Sequence, residues 1–237
     1  MLKEKLFDFV LFNFLAKDKE NLQDIMEAGK GFVVPGIVAS DFSNRQEGAS
    51  KVKELKEVVD IVSIGLGGGG DPMYAKRVLD IAAISNPGHI NQPFESAVYA
   101  KGFLEGNGAS PQLVNALVKP SGTVGTVKLA SGMEVKVEEF VEIALALGVE
   151  SIKFMPLSGE VHLEELVYLT KVAAQKGIRG IEPAGGISAF NIKTIIDAVK
   201  KIEIEFFMPH IFGSTIDQAT GKTIPTEVAQ ILNKLGA

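Results

Sequence analysis

An α/β fold of the (β/α)8 TIM-barrel class is what this sequence predicts, on three observations. Strand-like apolar runs alternate with amphipathic helical stretches along nearly the whole chain. Eight such strand–helix units fit into 237 residues, which is typical of that fold. Most of the strands are short and apolar or β-branched without clean alternation, as parallel strands covered on both faces should be. An open doubly wound sheet is the alternative.

The first strand is read at residues 10–15. The helix after it, residues 19–31, has Leu22, Ile25 and Met26 at helical spacing and Gly29 at its end. The second strand is placed at 32–39 with a helix at 45–57, and the third at 58–66, closing in "GLGGGGDP". A short helix at 72–79 leads to a fourth strand at 81–85, then "NPGHINQ" and a helix at 93–105. The fifth strand is 113–119. Gly and Ser then punctuate two short β-prone pieces, which predicts a small hairpin near 120–133. A helix carrying Val137, Phe140, Val141, Ala144 and Leu145 precedes the sixth strand, "ESIKFMP". A helix at 162–176, a strand at 178–183, a helix at 190–200, a strand at 203–208 and a helix at 226–235 complete the series. No linker rich in Pro, Ser or charge interrupts it, so residues 1–237 are expected to form one domain.

Composition narrows the function classes. Hydrophobic residues make up 46% and charged residues 22%, the balance of a globular protein with a sizeable core. A net charge of −5 without a long basic run argues against nucleic acid or an anionic membrane as partner. The absence of cysteine excludes disulfides, thiolate metal sites and cysteine nucleophiles, and suits a cytoplasmic protein. Three histidines leave little room for a His-rich metal site, so neither metal nor cofactor is expected. "LFDFVLFNFLA" follows Lys3 and Lys5 as a signal peptide would. Asp8 and Asn13 interrupt it, however, and "KDKEN" follows with no small-residue cleavage tripeptide, so a core strand is expected there.

In such a barrel the reactive side chains lie at the carboxyl ends of the strands and in the loops after them. Lys153, in "SIKFMPLSG", sits inside the sixth strand. If Ile152 and Phe154 meet the helices, alternation turns Lys153 inward, where burial disfavours the ammonium and a neutral amine can attack a ketone. A structural cation is the equal alternative. Glu182, in "GIEPAGG", closes the seventh strand; facing inward, it would stand beside Lys153 as pairing or proton-transfer carboxylate. "PAGGIS", with Gly185, Gly186 and Ser188, and "HIFGST", with Gly213 and Ser214, follow strands seven and eight. Barrels commonly bind phosphate there, through glycine amides and a helix N-terminus, and Ser188 suits an N-cap. His89 is read at a strand end, as a contact for a substrate carboxylate or phosphate or as a capping residue. The run Gly65–Pro72 is either a substrate-facing loop or a plain turn; it fits neither a dinucleotide nor a P-loop pattern. Asp41 and Asp71 hold loop positions, and Lys119 ends the fifth strand.

"SIKFMPLSG" followed by "EPAGGIS" resembles the "KFFPA … PTGGIS" pairing of the 2-keto-3-deoxy-6-phosphogluconate (KDPG) aldolases, class I enzymes on this barrel. "AISNPGH", "FVVPGIVASDF", "LVKPSGTVGTVKLASG" and "MPHIFGSTIDQATG" extend the resemblance over nearly the full length, to a divergent bacterial branch serving glucosaminate or related sugar-acid catabolism. The resemblance implies Lys153 as Schiff-base lysine, Gly185, Gly186 and Ser188 as the phosphate turn, and Gly213 and Ser214 as a second phosphate loop. Two departures stand out. The second strand lacks the glutamate and nearby arginine of the family's "EVTLRT"-like segment, and Ala184 replaces the threonine of "PTGG". Glu182 is the candidate replacement base, and Ser40, Arg45 or His89 the candidate carboxylate contact.

The expected function is therefore a class I, metal-independent aldolase, a carbon–carbon lyase. It would cleave 2-dehydro-3-deoxy-6-phosphogluconate to pyruvate and glyceraldehyde 3-phosphate, without cofactor and as a homo-oligomer. The alternatives are a 4-hydroxy-2-oxoglutarate aldolase, a phosphosugar epimerase or isomerase, and a non-catalytic phosphometabolite-binding regulator.

Overall fold

The computed structural model describes residues 4–109 and 111–237. It is an α/β fold organised on one curled parallel sheet. Eight strands lie side by side: β1 (Phe12–Leu15), β2 (Val33–Val38), β3 (Val62–Gly65), β4 (Gly88–Pro93), β5 (Leu113–Pro120), β8 (Ser151–Phe154), β9 (Gly180–Pro183) and β10 (Phe206–Phe207). Sequential neighbours pair throughout. Single parallel bridges join Val10, just before β1, to Phe207 of β10, and Asn13 of β1 to His210, just past β10. A hairpin of β6 (Thr126–Lys128) and β7 (Glu134–Lys136) hangs from the end of β5, where Lys119 pairs with Lys128. Lys119 thus lies past the last register pair between β5 and β8, Val118 with Phe154, and pairs with the hairpin instead.

The helices are α1 (Lys19–Ala28), α2 (Arg45–Leu55), α3 (Ala75–Ser85), α4 (Phe94–Gly106), α5 (Val137–Ala146), α6 (Leu163–Lys176), α7 (Ile192–Val199) and α8 (Pro225–Lys234). Local chemistry sets their ends. The carboxylate of Asp18 accepts from the Asn21 N–H to start α1, Asn44 does the same for α2, and Gly177 in the left-handed region stops α6. Among the described residues no helix is long and apolar enough to cross a membrane.

One expected element is corrected. Residues 81–85 are the last turns of α3, and the fourth strand is Gly88–Pro93. Val78, Ile81, Ala82 and Ser85 recur at three- and four-residue spacing on one buried face, and the Ser85 hydroxyl donates to the Ile81 carbonyl at 2.7 Å. Asn86, at φ 50°, ends the helix in the left-handed region. The third and eighth strands are also shorter than expected, because residues 58–61 and 203–205 make no ladder.

The side chains sort by strand alternation. Ile90, Ile152, Phe154 and Ile181 join the main core beneath the helices. The opposite face, inside the curl, is stratified. Leu11, Val34, Leu113, Phe206 and Met208 form a separate apolar cluster at the amino ends of the strands. Above it lies a polar layer, Asn13, Ser63, His89, Asn91, Asn115, Ser151, Lys153, Glu182 and His210, each no more than 4% exposed. An interior this polar is expensive unless its groups satisfy one another.

Candidate active site

Lys153 lies on β8 between two residues of the helix-side core, so its side chain points into the curl, as an inward register requires. Its Nζ donates to Asn91 Oδ1 at 3.2 Å and meets His210 Nδ1 at 3.0 Å. Burial pushes the ammonium from its ordinary value of 10.5 down to about 8, against the opposing pull of the Glu182 carboxylate. At neutral pH a usable fraction of the amine is therefore neutral.

Glu182 is the register partner of Lys153 on the adjacent β9. The expected direct pairing is replaced by an indirect one, because the His210 ring stands between them. His210 Nε2 meets Glu182 Oε2 at 2.7 Å. The other carboxylate oxygen accepts from the Ser151 hydroxyl at 2.7 Å and faces His89 Nε2 at 3.0 Å. Burial drives the carboxyl upward, but its interactions with His89 and His210 outweigh that and hold Glu182 below the ordinary carboxylate range. His89, expected at a strand end, lies within β4, since that strand begins later in the chain than expected. It is buried behind Glu182, with Nδ1 2.9 Å from Ser63 Oγ, and does not line the cavities beside Lys153. Asn91 completes the layer by donating to Ser63 Oγ and to the Ile64 carbonyl.

Two cavities flank Lys153 and share Met155 and Phe212 in their walls. One, of about 320 Å³, is bounded by His210, Gly185, Gly186, Ser188, Gly213 and Ser214. The two glycine turns singled out in the sequence thus meet around one space. The Ser214 hydroxyl donates to the Ile187 carbonyl at 2.8 Å and ties the turns together. Among the described residues, the N–H groups of Gly185, Gly186, Gly213 and Ser214 donate to no protein acceptor, which leaves four donors near an anion-sized space. Gly186 cannot be replaced without strain: at φ 71°, a Cβ there would sit 2.5 Å from the backbone nitrogen of Gly159. Ser188 receives the Phe190 N–H at 3.3 Å, but α7 starts later, with Asn191 as its N-cap.

The second cavity, about 290 Å³, is formed by Ser40, Asp41 and the loop from Gly65 to Gly70. The tetraglycine run therefore faces Lys153. Gly67, at φ 87°, presses against Ser40, whose hydroxyl would lie 2.0 Å from a Cβ. Asp41 is the carboxylate among the residues lining these two cavities. A much smaller cavity, about 70 Å³, lies at the amino end of the sheet around Phe206 and Arg179, away from Lys153. Among the described residues, no group of three His, Asp or Glu side chains is arranged to hold a metal ion.

Sequence reasoning passed over His210, Asn91, Ser151 and Ser63. His210 carried a signal, since it is one of three histidines and lies two residues past the strand read at 203–208. The other three are ordinary strand residues whose importance depends on cross-strand register.

Known proteins resemble this chain at two levels. A family model described as KDGP aldolase matches residues 6–219. A protein named 2-dehydro-3-deoxy-phosphogluconate aldolase, from Salmonella typhimurium, is 36% identical over 231 residues, covering 94% of this chain and 93% of its own. Among solved structures, KGPDC from Streptococcus mutans superimposes with a TM-score of 0.58 at 10% identity, covering 95% of this chain and 96% of its own. Thiamine phosphate pyrophosphorylase from Pyrococcus furiosus gives 0.57 at 12% identity, covering 97% and 96%. At such identities the two structures speak to fold alone.

Proposed function

The chain belongs to the KDGP aldolase family, and from that premise we propose a class I Schiff-base aldolase on a (β/α)8 barrel. Its substrate in this reading is 2-dehydro-3-deoxy-6-phosphogluconate. The observation that carries the reading is a buried lysine amine, depressed to about 8, set between two cavities, one of which presents four backbone donors.

The neutral Lys153 amine attacks the C2 ketone, and loss of water leaves a protonated imine. A base takes the C4 hydroxyl proton, the C3–C4 bond breaks, and its electron pair moves into the imine as an enamine. Glyceraldehyde 3-phosphate departs, C3 is protonated, and hydrolysis frees pyruvate and Lys153. The turns holding Gly185, Gly186, Ser188, Gly213 and Ser214 receive the distal phosphate, so binding energy remote from C2 positions the reacting carbons. Glu182 supplies the buried negative charge opposite the imine cation, and His89 and Ser151 hold that carboxylate in place. It does not line either cavity, so the C4 hydroxyl proton is assigned instead to Asp41. Asp41→Asn is expected to keep forming the Schiff base with pyruvate while cleavage falls about 100-fold, a usual size for losing a general base. Unchanged cleavage would remove Asp41 from this role.

The substrate assignment is tested by comparing kcat/KM for the phosphorylated substrate and for 4-hydroxy-2-oxoglutarate. The phosphorylated compound should be favoured at least tenfold, about 1.4 kcal/mol of phosphate binding. A preference of that size for 4-hydroxy-2-oxoglutarate contradicts the assignment.

A further inference from the structure

We propose that His210 is a catalytic residue, the group through which Lys153 exchanges its proton with Glu182 during Schiff-base formation and hydrolysis. The proposal rests on the Schiff-base reading of Lys153 and extends it to a residue that reading does not use.

Geometry and hydrogen-bond direction support this role. The ring of His210 bridges the two other groups, with Nδ1 at 3.0 Å from Lys153 Nζ and Nε2 at 2.7 Å from Glu182 Oε2. An ionised carboxylate only accepts, so Nε2 carries the ring proton and Nδ1 is left as a lone pair facing a lysine that only donates. The rest of the layer agrees. Asn91 donates to Ser63, which donates to His89 Nδ1, and His89 Nε2–H points at Glu182. The charged and titratable groups around His210 are Lys153 on β8, Glu182 on β9 and His89 on β4. Burial, and after it the charge of Lys153, push the ring down to about 3, so it holds no second proton at neutral pH. It is 2% exposed, and among the described residues no other side chain hydrogen-bonds both Lys153 and Glu182.

The relay conserves charge within the site. Lys153 passes an ammonium proton to Nδ1 as the Nε2 proton moves to Glu182, and a buried ion pair becomes a neutral amine and a carboxylic acid. The amine lone pair attacks C2, the carbonyl electron pair moves to oxygen, and a proton shifts from nitrogen to that oxygen to give the carbinolamine. The Glu182 proton then returns through His210 to the hydroxyl. Water leaves with the C–O electron pair, and the nitrogen lone pair forms the imine cation, again opposite an ionised carboxylate. No ion has to cross a low-dielectric interior, where an uncompensated charge is costly.

The test is the rate of reductive trapping by pyruvate and borohydride, followed across pH by mass spectrometry. His210→Ala is expected to trap about 100-fold more slowly than wild type at pH 7, in line with loss of acid–base assistance. Added imidazole should restore at least tenfold of that rate, because the position borders a cavity; it should do nothing for Lys153→Met. His210→Gln should be equally slow and not rescued. Wild-type rates and an unchanged pH profile in the His210 variants, with the wild-type adduct mapped to Lys153, would overturn the relay and leave the Schiff base standing. A wild-type protein that forms no adduct on Lys153 removes both. Should the variants fail to fold, nitrogen NMR of histidine-labelled wild type decides: His210 is expected as the Nε2–H tautomer, and an Nδ1–H ring overturns the relay.

Discussion

Lys153→Met is expected to lose at least ~10³-fold in kcat/KM and to form no covalent adduct with pyruvate, because the variant has no amine to carry the intermediate. Methionine matches the length of the lysine stem and leaves the apolar contacts in place, so a folded but inert protein is the expected product. A second readout separates a lost nucleophile from a damaged fold. The folded pKa of Lys153 is about 8, below its ordinary 10.5, so between those values the unfolded chain binds more protons than the folded one. Stability from this group therefore rises with pH across that window, and below it the buried ammonium is a penalty of about 3 kcal/mol. Denaturant melts of Lys153→Met should lack that rise. Retained turnover in a folded Lys153→Met protein contradicts the proposed mechanism.

Glu182→Gln is expected to separate binding of pyruvate from cleavage. Without the carboxylate, the charge that raises the lysine's pKa disappears, and the midpoint for reductive trapping moves below that of wild type. Trapping continues because the amine itself remains, but more slowly than in wild type, since the relay through His210 has lost its carboxylate. Cleavage of the full substrate falls about 100-fold or more, because the imine cation has lost its counter-charge and the relay that forms and hydrolyses the imine has lost its carboxylate. Stability should fall too. A carboxyl held below its ordinary range stabilises the fold above the unfolded pKa and ceases to do so as pH drops through the folded one. The variant forfeits this at neutral pH, at a cost of about 3 kcal/mol for breaking a buried charge network. Turnover equal to wild type would exclude Glu182 from the chemistry.

These two residues also show how much of the site could be read from the chain. Lys153 was legible because an ammonium inside an apolar strand conflicts with its surroundings, and strand alternation offered an inward register. The glycine turns were legible by position, since they follow consecutive strands near the end of the chain. The Lys153–His210–Glu182 bridge was not, because it joins two adjacent strands to a residue past the end of a third. A one-residue slip in any of them would send a side chain to the helices. Residues 81–85 differ from the expected strand because a run of four apolar residues, Ile81 to Ile84, fits either period. Shifting that strand to Gly88–Pro93 is what moved His89 from the rim to the interior and brought in Asn91. The missing glutamate on the second strand was visible as an absence. What stands near its place, Asp41 in the turn after β2, is a candidate only once the cavity walls are known.

The most direct measurement is to incubate the wild-type protein with pyruvate, reduce with borohydride and map the modified peptide. One stable adduct is expected, on Lys153, with a rate of formation that rises with pH through about 8. No adduct, or one on another lysine such as Lys119, contradicts the Schiff-base mechanism.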